Sequence, residues 1–331
     1  MIASRWLAIA GMVLMVLIGV WYAMIRMPGE SFHGPIPTLS ADEQVLEREL
    51  RSHVFTLAGE IGERNLWHYD KLQQAAEYIR TTFQRAGYEV SGQEYQVSGQ
   101  TCQNIEVQVK GAKRPEGIVL VGAHYDSVKG SPGANDNGTG VAAVLALAGR
   151  LADSRPSRTI RFVAFVNEEP PLFQSHQMGS RVYAKRSRER GEQITLMVSL
   201  ETIGYYTEEA GSQSYPFPLQ LIYPRTGNFI AFVSNTDNGP WVRKTIDSFR
   251  QYTQFPSEGA ALFGWLPGVG WSDHWGFWKE GFPAIMVTDT ALFRDPYYHT
   301  AHDTPDHIHY DHLARVTAGL HQVIEDIANA P

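Results

Sequence analysis

Ile118-Val119-Leu120-Val121-Gly122-Ala123-His124-Tyr125-Asp126, followed a short way downstream by Asn135-Asp136-Asn137-Gly138-Thr139-Gly140, decides how this chain is read. The run Ile118–Val121 is short and wholly apolar, the pattern of a strand buried on both faces. His124 comes just after it. Asp136 sits where a glycine-rich loop turns into a helix, whose apolar stripe is Val141, Val144, Leu145, Ala148 and Leu151. His124 and Asp136 therefore project from the same rim of a sheet. Glu168-Glu169, Glu201 and His299 each follow an apolar or strand-like segment, and ligands of α/β sheets bind outside the carboxyl ends of the strands. A single histidine at a strand end is more often a hydrogen-bonded structural residue, and paired glutamates more often a solvated loop. Six such positions in order, with strand and loop alternating between them, argue for a site. Oxygen and nitrogen donors with little thiol among them suit zinc or a similar ion.

Working outward, Ser40-x-x-Glu43 forms a capping box that predicts a helix to about His53. Leu72, Ala76, Ile79 and Phe83 repeat at helical spacing after Asn65–Asp70, with Gly87 as the stop. Alternation over 88–97 and 104–110 predicts paired strands at a sheet edge. Thr159–Val166, Thr195–Leu200 and Ala284–Val287 read as further strands, and Leu219–Tyr223 as another. Gly179–Arg190 reads as a basic, exposed helix. Pro240 is placed to start a helix to about Arg250, Gln251–Trp271 reads as a long loop, and Leu313 to Ile327 gives a closing helix. Strands alternating with helices predict an α/β sandwich around a mixed, mostly parallel sheet.

The chain has 331 residues, 43% of them apolar and 19% charged, with a net charge of −7. That is a globular composition with no basic patch, so nucleic acid is not an expected partner. One cysteine, Cys102, excludes an intramolecular disulfide and a thiolate metal cluster. Trp6–Ile25 is almost wholly apolar between Arg5 and Arg26, about the length that spans a bilayer. The expected division is an N-terminal anchor or signal segment over 1–26, a linker over 27–39 and a catalytic domain over 40–331. The expected location is membrane-anchored with the domain outside the cytoplasm, in a bacterial periplasm, or secreted if the segment is cleaved.

Gly122-Ala123-His124-Tyr125-Asp126, Gly133–Gly140, Asn167-Glu168-Glu169, Leu200-Glu201-Thr202-Ile203-Gly204, Ser272-Asp273-His274 and Tyr298-His299-Thr300 together resemble the M28 family of co-catalytic zinc peptidases, the aminopeptidase and glutamate-carboxypeptidase-like group. The resemblance covers roughly 120–300, and 205–265 carry no matching motif. It implies two zinc ions bridged by Asp136, one completed by His124 and Glu201, the other by Glu169 and His299. It implies Glu168 as general base, Asp126 as the carboxylate that orients His124, and Tyr298 as a hydrogen-bond donor to the oxyanion. It also implies a cis peptide bond after Asp136. The family often has aspartate where Glu201 stands. His302 and His274 compete with His299, and Asp273 and His274 are read as pocket wall. An aminopeptidase needs an acid for the substrate ammonium, for which Glu168, Glu208 and Glu209 are candidates. A carboxypeptidase needs a cation, for which Arg225 and Arg294 are candidates. The activity the resemblance implies is a metal-dependent exopeptidase acting on peptides, an aminopeptidase by family prevalence. The alternatives are a glutaminyl-cyclase-like acyltransferase and a metal-free binding protein on the same fold.

Overall fold

The computed structural model describes Trp6, Gly11, Met12, Met15 and residues 18–331. Its centre is one eight-stranded sheet: β1 (Ser91–Val97), β2 (Gln100–Val109), β3 (Arg114–His124), β4 (Arg158–Phe165), β5 (Gln193–Glu201), β6 (Ile230–Asn235), β7 (Ser257–Leu262) and β8 (Ala284–Thr288). The order is β1-β2-β4-β3-β5-β8-β6-β7. The pairs β4–β3, β3–β5, β5–β8 and β6–β7 are parallel, while β1–β2, β2–β4 and β8–β6 are antiparallel. The expected mixed, mostly parallel sheet flanked by helices is thus present.

Alternation along β3 shows how the sheet is covered. Val119, Val121 and Ala123 face one side, where α1 (Ala41–Val54), α2 (Tyr69–Arg85), α3 (Gly140–Leu151), α5 (Gly239–Tyr252) and α7 (Tyr310–Asn329) pack. Ile118 and Leu120 face the other, against Tyr183 and Ala184 of α4 (Gly179–Glu189) and Phe277 of α6 (His274–Lys279). The capping box is complete: Glu43 N–H donates to Ser40 Oγ and Ser40 N–H to the Glu43 carboxylate. α4 is less exposed than its basic sequence predicts, because Tyr183, Ala184 and Ser187 turn inward.

Two expectations over 219–271 are corrected. Leu219–Leu221 is a short 3₁₀ turn, not a strand. Pro216 and Pro218 lack the N–H a ladder needs, and the Pro218 carbonyl accepts from Leu221 N–H, closing the turn. Gln251–Trp271 is not one loop, because it holds the edge strand β7. Ser-Glu-Gly-Ala-Ala-Leu has low strand propensity, but Gly259 lets the backbone approach Met27 and Ile246, which a Cβ there would meet at 2.6 and 3.2 Å.

Eight residues of the expected apolar span Trp6–Ile25 (7–10, 13, 14, 16 and 17) fall outside the described residues. Residues 18–24 are helical, and Met24 and Ile25 pack among Leu262, Val269 and Leu219. Among the described residues no helix is long and apolar enough to cross a membrane. The segment 27–39 lies along the domain: the carbonyls of Pro28 and Pro37 accept from Arg250 and Arg315.

Candidate metal centre

Parallel pairing of β4, β3 and β5 sets their carboxyl ends side by side. His124 ends β3 and Glu201 ends β5, while Glu168 and Glu169 follow just beyond β4. Asp136 enters from the turn before α3, and His299 from the loop after β8. That turn is held by groups that cannot be exchanged freely. Gly133 has φ +64°, and a Cβ on it would lie 2.5 Å from the Asp136 carbonyl oxygen. Asn137 joins the turn to β5: its Nδ2 donates to Leu200 O at 2.8 Å, and its Oδ1 accepts from Gly140 and Thr202 N–H. The Asp136–Asn137 bond is cis.

Beneath it lies a layer of supports that the sequence did not disclose. The Asp303 carboxylate accepts from Asn135 N–H at 2.7 Å and Asp136 N–H at 3.1 Å. Asn135 Nδ2 donates to Asp289 and Asp295, each at 2.9 Å. Arg64, fully buried, donates to the carbonyls of Tyr125, Pro132 and Gly133 at 2.6 to 2.8 Å. Arg64 stands in an unremarkable stretch, and nothing in its neighbours signals that its charge is buried.

The donor atoms fall into two sets that share Asp136. His124 Nε2 lies 3.3 Å from Asp136 Oδ1 and 3.3 Å from Glu201 Oε2. His299 Nε2 lies 3.0 Å from Asp136 Oδ2 and 3.4 Å from Glu169 Oε2. Each oxygen of Asp136 therefore faces one set. Atoms bound tetrahedrally at zinc distances stand about 3.3 Å from one another, so this spacing is that of donors around a common ion. His124 Nε2, Asp136 Oδ2 and Glu169 Oε1 are buried without a hydrogen-bond partner. Orphaned polar atoms are costly unless something fills the gap between them. His124, Asp136 and Glu169 can each offer one ligand atom within 4.8 Å of the others.

Charge points the same way. Asp126, Asp136, Glu168, Glu169, Glu201 and Asp273 are all buried around His124. The guanidinium of Arg64 is already engaged by carbonyls. Burial and then the neighbouring Asp136 charge push Glu169 up to about 8. Burial likewise drives Glu168 well above the usual carboxylate value, with Glu201 and Glu169 adding to the rise. Burial alone would lower the histidines. Instead Glu201 and Glu168 hold His124 well above its ordinary value, and contacts with Asp136 and Glu169 carry His299 to about 10. Acids this crowded retain positive charge, whether protons or cations.

Glu168 Oε2 lies 3.8 Å from His124 Nε2, inside the same ring. Asp126 does more than face His124. Its carboxylate accepts from the N–H groups of Glu168 and Glu169, each at 3.1 Å, while His124 Nδ1 lies 3.2 Å from its carbonyl and 3.5 Å from its Oδ1. Tyr298 stacks on His299 with ring centroids 3.9 Å apart. Burial and the charges of Asp136 and Glu169 keep its phenol protonated. Ser272 Oγ donates to Glu201 Oε2 at 2.7 Å. The competing histidines stand apart: His274 hydrogen-bonds the Val269 carbonyl at 2.8 Å, and His302 is exposed. Glu208, Glu209 and Arg225 are exposed, and Arg294 is buried against Gln213 and the Phe229 carbonyl.

The model of peptidase family M28 matches residues 104–324. Protein YfbL of Escherichia coli K12 is 36% identical over 281 residues, covering 82% of this chain and 85% of that protein. Leucine aminopeptidase 1 of Arthroderma otae is 28% identical over 213 residues, 59% of this chain and 50% of that protein. The chain thus spans about half the length of that leucine aminopeptidase. Among solved structures, BSAP, a zinc aminopeptidase from Bacillus subtilis, superposes with a TM-score of 0.70 at 16% identity, over 90% of this chain and 97% of that one. A Bacteroides thetaiotaomicron glutaminyl cyclase bound to N-acetylhistamine gives 0.66 at 16% identity, over 88% and 99%. At such identities the two structures share the fold with this chain.

Proposed function

The chain belongs to peptidase family M28, and from that premise we propose that this peptidase is a zinc-dependent aminopeptidase. The observation that carries the metal is the pair of donor sets meeting at Asp136, with orphaned atoms turned inward. His124 and Glu201 would hold one ion, Glu169 and His299 the other, and Asp136 both. Bound there, the ions would lower the pKa of a water and stabilise the negative charge that develops on the substrate carbonyl oxygen.

The remaining steps belong to the chain. Glu168, raised in pKa and held at its N–H by Asp126, accepts the proton of the attacking water and returns it to the leaving amine. The protonated phenol of Tyr298 donates to the oxyanion. The choice of terminus follows from charge. The cavity beside Glu201 and Tyr298 is lined by two glutamates and, among the described residues, by no lysine or arginine. It offers no cation to a terminal carboxylate, which favours the amino terminus. For the rest of the chain we propose an anchor over 1–26, a tether over 27–39 and a domain over 40–331 outside the cytoplasm.

The test is a panel of amino-acid anilides, N-acylated peptides and an N-terminal glutamine peptide, with and without chelator. Release of free N-terminal residues, lost on chelation and restored by zinc, is the expected result. Cleavage only from the carboxyl end, or cyclisation without hydrolysis, overturns the reading.

A further inference from the structure

The ladder register carries a row of residues away from the site. Glu201 pairs with Thr288, Thr288 with Ala231, and Ala231 with Glu258. Residues in register share a face of the sheet, and each step is about 4.8 Å, so the row spans about 14 Å. A cavity partly open to solvent runs over this row. Its floor is small or apolar between the two glutamates: Ala231, Val233, Ala260 and Met286. Its roof includes Tyr215, Leu219 and Tyr223, from the stretch without matching motif.

Glu258 closes the far end as a carboxylate without a partner. Among the described residues no hydrogen bond or ion pair reaches it. The nearby phenols are engaged elsewhere: Tyr223 donates to the Gly259 carbonyl at 2.8 Å and Tyr215 to the Pro224 carbonyl at 2.6 Å. Burial raises the Glu258 carboxyl above its ordinary value and Arg250 offsets part of that rise, but Arg250 donates elsewhere, to Ser257 Oγ, the Ser257 carbonyl and the Pro28 carbonyl. Ser257 precedes Glu258, so its side chain points to the opposite face. The part of this apolar floor next to Glu258, ending in an acid without an ion pair, suits an alkyl stem that carries a cation at its tip.

We propose that Glu258 makes this chamber selective for an N-terminal lysine or arginine, whose stem lies over Ala231 and whose cation meets the Glu258 carboxylate. The placement of the α-carbon near Glu201 rests on the aminopeptidase reading. The binding of a cation by Glu258 does not.

Calorimetry with lysine amide and norleucine amide tests the binding directly, because the two share a four-carbon stem and only one ends in charge. Lysine amide is expected to bind about tenfold to a hundredfold more tightly, the range of a charge-assisted hydrogen bond. E258Q should collapse that ratio, and E258D, which keeps the charge on a shorter arm, should reduce it in part. Equal binding of the two amides, or a ratio unchanged in E258Q, overturns the proposal. Lysine selectivity lost in E258Q, in a protein that hydrolyses no anilide, would confirm Glu258 and remove the aminopeptidase reading instead.

Discussion

Two halves of one sheet face divide the work. Over β3, β4 and β5 the face ends in large charged groups at strand termini, each fixed by a second polar group beneath it. Over β6 and β7 it offers alanines, a valine and one glutamate near the start of β7, roofed by a loop. Chemistry is placed where backbone geometry alone converges several side chains. Selectivity is placed where small residues leave room.

The sharpest way to break this division is to disable the first half without disturbing the second. Glu168→Gln keeps the size of the side chain and its backbone bond to Asp126 while removing the proton acceptor. Turnover should fall by a factor of about 10² to 10⁴, with metal content and amide binding in the chamber near those of the parent. Retained activity on anilides would strip Glu168 of its role.

The two halves also differed in how much of them could be read. His124, Asp136, Glu168, Glu169, Glu201 and His299 were legible because charged residues just past apolar runs violate the pattern of a core, and the violations recur in order. Strands β3, β4, β5 and β8 were legible as apolar runs, and the capping box marked α1. β7 was not, because Ser-Glu-Gly-Ala-Ala-Leu lacks the bulky branched residues that mark a strand, and its pairing with β6 is a non-local fact. Asp303 was legible as a residue but not as a support. Its bonds to Asn135 and Asp136 join positions far apart in the chain.

That hidden layer gives the next prediction. Asp303→Ala leaves two buried N–H groups without acceptors and frees the backbone of the residue both donor sets share. Metal affinity should drop about tenfold to a hundredfold, measured by competition with a chelator. An unchanged affinity would mean that Asn137 and Gly133 hold the turn without Asp303.

In the chamber half, Ala231→Leu should fill the trough one strand short of Glu258. Activity on lysine and arginine anilides should fall about tenfold relative to alanine anilide, because overpacking excludes the long stem and spares the short one. Equal losses on all three substrates would show that the chamber does not receive the first side chain.

The smallest effect is invisible at neutral pH and compares one histidine from each region. His53, in the helix layer over the site half, hydrogen-bonds Tyr78 at 2.7 Å. His274, behind the chamber residue Val269, bonds its carbonyl. Burial lowers both from 6.5 to about 4. The folded state therefore binds a proton less readily than the unfolded one. Stability from the neutral imidazole is intact above pH 6.5 and drains away as pH falls toward 4. At pH 5.5 each should account for the loss of about 1 kcal/mol, so His53→Gln and His274→Gln should each flatten the decline in melting temperature between pH 6.5 and 4. The two variants should then part company. Val269 lines the chamber, so His274→Gln should also blur the preference between lysine and norleucine amides, whereas His53→Gln, remote from that wall, should leave it alone. An equal loss of preference in both would mean that the two halves are coupled through the sheet and do not divide chemistry from selectivity.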